Sequence, residues 1–347
     1  MSAARVARRL RSGLRGWGGV GAMAALCALA VLFALLLPLT QSEDADDGAE
    51  GAGQGLARGR QARAEKCEDP QDQSLSPSDG GGSTIHVDAI RTRGRLVVGV
   101  DQNSYRWGYL DPNNEKGELE GFDIDLVHRI AKDILGDEDA VTFKAIPTSR
   151  RIEAVQNGEV DMVVRTMTIN CDRLDDVAFS APYFRTGQQV LAPKASTVTG
   201  YDRSLAGKKV CSAATSTALD RLRADHDSGA LPASTDITTV VPNQLDCLVK
   251  LQLGEVDAVV TDGALAASQA AQDPTVELKG GLFTNEYYGV AMKKGSEDLV
   301  RQVNRTLQNY VKDPAGWRAS YDKWLHPTMD QGDRKSMSAT PPAAHYK

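Results

Sequence analysis

The chain has 347 residues, a quarter of them charged, and a net charge of −6. That length can hold more than one core. Lysine and arginine form no long basic stripe in the body of the chain, which argues against nucleic acid as a partner.

Arg5, Arg8, Arg9, Arg11 and Arg15 precede an almost unbroken apolar run from about residue 18 to 39, and acidic residues begin only at Glu43. This is the pattern of an export signal. The run approaches the roughly 20 residues that span a bilayer and exceeds the roughly 7–15 apolar residues of a cleavable signal. The arginines orient residues 1–17 toward the cytoplasm and everything after residue 40 outside. Cys27 lies in mid-span after Leu26, where a lipid attachment site needs a small residue, and no Ala-x-Ala cleavage site follows. Residues 18–40 are therefore expected to stay as a signal anchor, tethering the protein to the outer face of the membrane; the alternatives are lipidation at Cys27 and cleavage, which would make it secreted.

Residues 41–85 turn acidic, then Arg-rich, then Ser/Pro/Gly-rich, with too few large apolar residues for a core, and are expected to form a disordered tether. Residues 328–347 have a similar composition and are expected to be a disordered tail. Cys67, Cys171, Cys211 and Cys247 fall outside the membrane, where disulfides persist; four cysteines allow three pairings.

The body then alternates strand and helix patterns. RLVVGV at 95–100 is an apolar run of strand length. DIDLVHRIAKDIL at 123–135 repeats apolar residues at helical spacing, VTFKAI at 141–146 is a second strand, and TSRRIEAVQNG is a short helix closed by Gly158. This order predicts mostly parallel sheets between helices. An internal echo follows: NGEVDMVV at 157–164 returns as LGEVDAVV at 253–260, each after a helix and each running into polar residues. Two related α/β lobes are implied. Ligands of open α/β sheets sit beyond the carboxyl ends of the strands, so Thr166 to Arg173 and Thr261 to Asp262 should face a shared cleft.

GFDIDLVHRIAKDIL resembles the signature of the family 3 extracellular solute-binding proteins of polar amino-acid ABC importers, and FSAPYF at 179–184 resembles the element that precedes their hinge. The resemblance covers about residues 86–326. It implies a two-lobed periplasmic-binding-protein type II fold with two crossover strands and a cleft between the lobes. Lobe 1 would comprise 86–190 and 286–327, lobe 2 would comprise 191–285, and the crossovers would be TGQQVLAP at 186–193 and EYYGVAMKK at 286–294.

The resemblance further implies that Arg173 clamps an α-carboxylate, a task suited to its planar fork, flanked by Thr168 and the backbone at Thr166. Ser216 and Thr217 at a helix start would add hydroxyls and free N–H groups, and Asp262 would hold the α-ammonium. Arg151 matches an arginine that meets the distal carboxylate in the glutamate/aspartate branch. Asp101 stands where that branch has another arginine; an acid there repels a second carboxylate unless Arg106, Arg151 or Arg165 pairs with it, and it suits an amide donor. Asn103 and Tyr105 or Trp107 are candidate wall contacts. The expected ligand is thus a free Glu, Gln, Asp or Asn, bound by lobe closure for an ABC permease, with no cofactor, metal or covalent step. Two alternatives are a tethered sensor that signals to a membrane partner and a dehydratase-like enzyme using Asp101 or His128. With Cys211 and Cys247 on neighbouring segments of lobe 2, pairing them leaves Cys67 for Cys171.

Overall fold

The computed structural model describes residues 67–78, 83–113, 117–329 and 339–347. The arginine-rich start, the apolar segment with Cys27 and the tether through residue 66 lie outside the described residues. Among the described residues, no helix is long and apolar enough to cross a membrane.

In chain order the elements are α1 (Ile85–Arg93), β1 (Leu96–Val100), β2 (Asn103–Ser104), β3 (Gly108–Leu110), β4 (Leu119–Glu120), α2 (Phe122–Leu135), β5 (Val141–Ala145), α3 (Arg151–Gln156), β6 (Met162–Val163), α4 (Cys171–Asp176), β7 (Val177–Phe179) and β8 (Phe184–Thr186). There follow β9 (Gln188–Pro193), β10 (Lys209–Ala213), α5 (Thr217–Ser228), β11 (Asp236–Val241), α6 (Gln244–Gln252), β12 (Ala258–Asp262), α7 (Gly263–Gln272), β13 (Val276–Lys279), β14 (Glu286–Tyr288), β15 (Ala291–Lys293), α8 (Glu297–Lys312), α9 (Trp317–Trp324) and α10 (His326–Met329).

Two five-stranded sheets result, β5-β1-β6-β15-β7 and β11-β10-β12-β9-β13. In each, the central three strands begin with a parallel pair, and a strand from the far side of the crossover joins antiparallel: β15 against β6, and β9 against β12. The helix periodicity that predicts α2 is the one that buries Ile124, Val127, Ile130, Ala131 and Ile134 against the first sheet. Gly121, just before α2, has φ +131°, and a Cβ there would collide with the carbonyl of Trp107. Only glycine therefore lets the helix start beneath that turn.

The lobes are joined by an antiparallel pair, β8 with β14, in the register Thr186↔Glu286 and Phe184↔Tyr288. The first crossing thus precedes 186–193, most of which forms β9 in the second sheet. The pair ends at Gly187, whose backbone comes so close to the carbonyl of Thr284 that no Cβ fits. Phe184 and Tyr288 pack on Trp107, which lies with Phe122 in an aromatic cluster and is wholly buried. Trp107 therefore anchors the hinge from the core and is no cleft wall, and Asn103 is exposed.

Cys67 is bonded to Cys171 and Cys211 to Cys247. Beyond Cys67 the chain runs along the first lobe. Ser74 Oγ donates to Phe179 O at 2.8 Å, Asn304 Nδ2 donates to Leu75 O at 2.6 Å, and Arg301 Nη1 donates to Ser76 O at 2.6 Å. The chain end returns to the same strip, with Lys347 N donating to Ser74 O at 2.9 Å. Residues 67–78 and 339–347 are thus fixed on the first lobe, against the expectation of disorder. Side chains of α8 hold the carbonyls of Leu75 and Ser76, and Arg318 of α9 holds that of Ala339, partnerships that composition does not reveal.

Candidate functional site

The segment after β6 carries the largest share of the site. Thr166 has φ +40°, a costly conformation for a β-branched residue. Its N–H donates to Asp123 Oδ2 at 3.1 Å, while Tyr183 Oη donates to Asp123 Oδ1 at 2.9 Å. Asp123, the first acid of the GFDID motif, thereby holds the strained loop. Burial pushes its carboxyl up to about 7, against the pull of Tyr183, the Thr166 N–H and Arg165. Further along, Ile169 N donates to Tyr287 O at 2.8 Å, which ties the loop to the hinge.

Asn170 caps α4 by accepting from Arg173 N at 2.9 Å, and so fixes where the Arg173 side chain begins. The buried guanidinium donates from Nη1 to Thr168 O at 2.7 Å and from Nη2 to Thr215 O at 2.9 Å. The first acceptor belongs to its own lobe and the second to the other. Thr215 is also strained, with φ +56°, and its Oγ1 donates to Thr148 O at 3.1 Å. Arg151, likewise buried, donates to the carbonyls of Thr148, Arg165 and Thr166. Burial, then the charges of Arg173 and Arg165, hold Arg151 well below its ordinary pKa. A guanidinium keeps its proton even so. Among the described residues, neither Arg151 nor Arg173 is ion-paired within hydrogen-bonding range of a carboxylate.

Opposite lies Asp262 at the end of β12, with Oδ2 accepting from Tyr288 Oη at 2.6 Å. Burial and then the neighbouring Glu286 push its pKa up to about 7, opposed by Tyr288, Arg173 and Arg151. Glu286 accepts from Gln188 Nε2 at 3.0 Å and Thr217 Oγ1 at 3.2 Å. Ser216 caps α5 by accepting from Leu219 N at 3.1 Å and donates to Ala213 O at 2.7 Å.

Arg173, Thr168, Thr166, Asp262, Thr217, Ser216 and Arg151 all line one cavity, joined there by Thr148, Arg165 and Gln244. Asp101 does not line it. It is buried in an ion pair with Arg165 at 2.7 Å and accepts from Gln102 N, Ser104 Oγ and Gln244 Nε2. Burial raises its pKa, but Arg165 and these donors outweigh that and hold it below the ordinary carboxylate range. Both oxygens are thus committed to the protein, so Asp101 supports the wall and is no ligand contact. Arg106 turns away to the carbonyls of Lys323 and Trp324. His128 Nδ1 lies 2.7 Å from Glu138 O, on the outer part of α2.

Arg165, Thr148, Thr215 and Gln244 join the site although no motif in the sequence marks them. The strand-end rule that finds Thr166 also reaches Thr215 and Gln244, since both follow strands of the second sheet. Glu286 and Tyr288 come from an antiparallel hinge strand, to which that rule does not apply.

Two α/β lobes on a two-stranded hinge, with a buried cleft that joins guanidiniums, hydroxyls and a carboxylate, define a protein that binds small charged solutes by enclosing them. The chain belongs to the bacterial extracellular solute-binding proteins, family 3, whose model matches residues 96–327. It is 34% identical over 237 residues to the ABC transporter glutamine-binding protein GlnH of Bacillus subtilis (strain 168), covering 68% of this chain and 83% of that protein. It is 27% identical over 278 residues to the glutamate-binding protein GluB of Corynebacterium efficiens, covering 76% and 87%. Among solved structures, an ancestral arginine-binding protein bound to glutamine superposes with a TM-score of 0.60 at 35% identity, covering 67% of this chain and 98% of that one.

Proposed function

We propose that the protein captures a free amino acid of the Glu, Gln, Asp or Asn class outside the cytoplasm and delivers it to an ABC permease. The observation that carries this reading is Arg173, a buried guanidinium that bridges the lobes through carbonyls and keeps N–H groups to spare. An α-carboxylate supplies the anion it lacks, and Asp262 faces the α-ammonium. Thr166, Thr168, Ser216 and Thr217 complete the enclosure, and Arg151 with Thr148 meets the distal group.

Within the class, the charge balance favours an amide. Arg151, Arg165 and Arg173 are already matched by the buried carboxyls of Asp101, Asp123, Asp262 and Glu286. A zwitterionic amide amino acid preserves that match, whereas a second carboxylate adds a charge without a partner. The ligand leaves unchanged, because Asp262 serves to hold the ammonium, Asp101 is engaged by Arg165 and its other donors, and His128 lies away from the cleft. Membrane attachment through residues 18–40 belongs to the same reading and predicts that the protein fractionates with membranes.

A melting-temperature screen against free amino acids tests the binding. A ligand at 100 times its Kd adds about 2.7 kcal/mol of stability. Glutamine or asparagine should raise the midpoint most. A midpoint unmoved by all four amino acids would remove the reading, and a mass-spectrometric finding of a converted ligand would replace binding with catalysis.

A further inference from the structure

We infer that Gln244 is a latch across the cleft that sets how far the lobes close before any ligand enters. The residue belongs to the second lobe by every backbone criterion. It is the first residue of α6, which Asn243 caps through its side chain, and its own carbonyl accepts from Gln269 Nε2 of α7 at 3.2 Å. Its side chain, however, is bonded wholly into the first lobe.

The amide oxygen accepts from Thr148 Oγ1 at 2.9 Å and from Arg165 Nη2 at 3.5 Å. The amide nitrogen donates to Asp101 Oδ2 at 3.0 Å and also to Ser104 Oγ. Neighbouring Asn243 Nδ2 reaches Asp101 Oδ1 at 3.4 Å. A carboxamide has one accepting end and one donating end, and here each end finds its complement: hydroxyl and guanidinium donors at the oxygen, a carboxylate acceptor at the nitrogen. Neither a carboxylate nor an ammonium could serve both ends. The side chain is 5% exposed, so these bonds form away from water and are worth more than surface contacts.

All of these contacts join protein to protein. They require the lobes to be together, yet they require no ligand. They therefore favour a closed population in the ligand-free molecule, and apparent affinity scales with that population. Arg165 is also spoken for by Asp101 in this arrangement, so the latch fixes the distal wall without consuming Arg173, Thr168 or Asp262. Gln244 is thus a positioning residue for capture. Its effect on affinity rests on the amino-acid-binding reading, whereas its effect on the ligand-free lobes does not.

The test uses the full-length protein with fluorophores on the exposed Asp139 of the first lobe and Asp227 of the second, read by single-molecule energy transfer without ligand. The variants are Gln244→Ala, Gln244→Glu, which sets a carboxylate against Asp101, and Gln244→Met, which keeps the volume and removes both polar ends. Each folded variant, checked by far-UV circular dichroism, should shift the distance distribution toward the open form. Each should also weaken Gln, Asn, Glu and Asp by one common factor of about 10-fold or more, the scale of losing two or three net hydrogen bonds. Unchanged distances in the folded variants overturn the latch. A changed ranking of the four amino acids with unchanged distances would make Gln244 a ligand contact instead. If the unaltered protein binds none of the four, the distance measurement still decides on the latch while the proposed function fails.

Discussion

Arg173 of the first lobe donates to the backbone carbonyl of Thr215 in the second at 2.9 Å, while its other terminal nitrogen holds Thr168 O at 2.7 Å. One guanidinium therefore orders the binding loop and spans the cleft at the same time. The carbonyl of Thr215 is available because that residue sits in a left-handed conformation at the turn before α5. Replacing Arg173 should remove both the ligand's anion partner and the bridge.

Arg173→Ala is expected to weaken amino-acid binding by about 100-fold or more, since hydrogen bonds to charged groups are worth about 1.5–3 kcal/mol each. Arg173→Lys should recover little of it, because a single ammonium cannot reproduce the fork that reaches Thr168, Thr215 and a carboxylate together. Isothermal titration of the two variants checks this; near-normal affinity in the Lys variant would show that charge alone suffices.

If Asp262 meets the ligand's ammonium as proposed, binding is expected to depend on pH. Burial and Glu286 raise its folded-state pKa from the ordinary 3.8 to about 7. Between these values the folded protein holds a proton that the unfolded chain has lost, so this group's contribution to stability falls as pH rises through the interval. A bound ammonium favours the ionised form, so binding should release a proton near pH 6 and tighten from pH 5 to 8. Calorimetry in buffers of different ionisation enthalpy measures that release. Asp262→Asn should abolish the proton release and flatten the pH dependence.

The Asp101–Arg165 pair is buried on both sides. Asp101→Ala should cost about 3–5 kcal/mol by stranding the guanidinium, and adding Arg165→Met should return part of the loss. Urea unfolding midpoints of the single and double variants report it. Equal losses that simply add would mean that the two residues act separately.

Cys67 and Cys171 are 104 residues apart in sequence, Cys211 and Cys247 only 36. On the loop-entropy account, replacing the first pair by serine should cost more than replacing the second, both within a range of about 2–5 kcal/mol. Because Cys171 begins the helix that carries Arg173, loss of the first bond should also weaken ligand binding, and loss of the second should not. Parallel melting curves and titrations separate the two effects.

The lobes and the strand-end loops were legible in the sequence because β6 and β12 repeat the same Gly-x-Val-Asp entry before their polar ends. Asp101 was legible only as an acid in need of a partner: the sequence offers Arg106, Arg151 and Arg165, and the choice of Arg165 depends on which side chain the end of β6 turns inward. Gln244 was hidden for a different reason. A glutamine at a helix start carries no charge signature, and its partners lie about 80 to 140 residues away in the chain. The same distance effect concealed the docking of residues 67–78, whose Ser/Pro-rich composition conveys nothing of Asn304 and Arg301 waiting on α8.

Enclosure of one free amino acid through Arg173 is the proposal on which the rest depends. The most direct measurement is titration calorimetry of the ligand-stripped protein with glutamine, asparagine, glutamate and aspartate, alongside Arg173→Ala. One-to-one binding is expected, tightest for an amide ligand and lost in the variant. Absence of binding by all four, or binding that Arg173→Ala leaves intact, would contradict it.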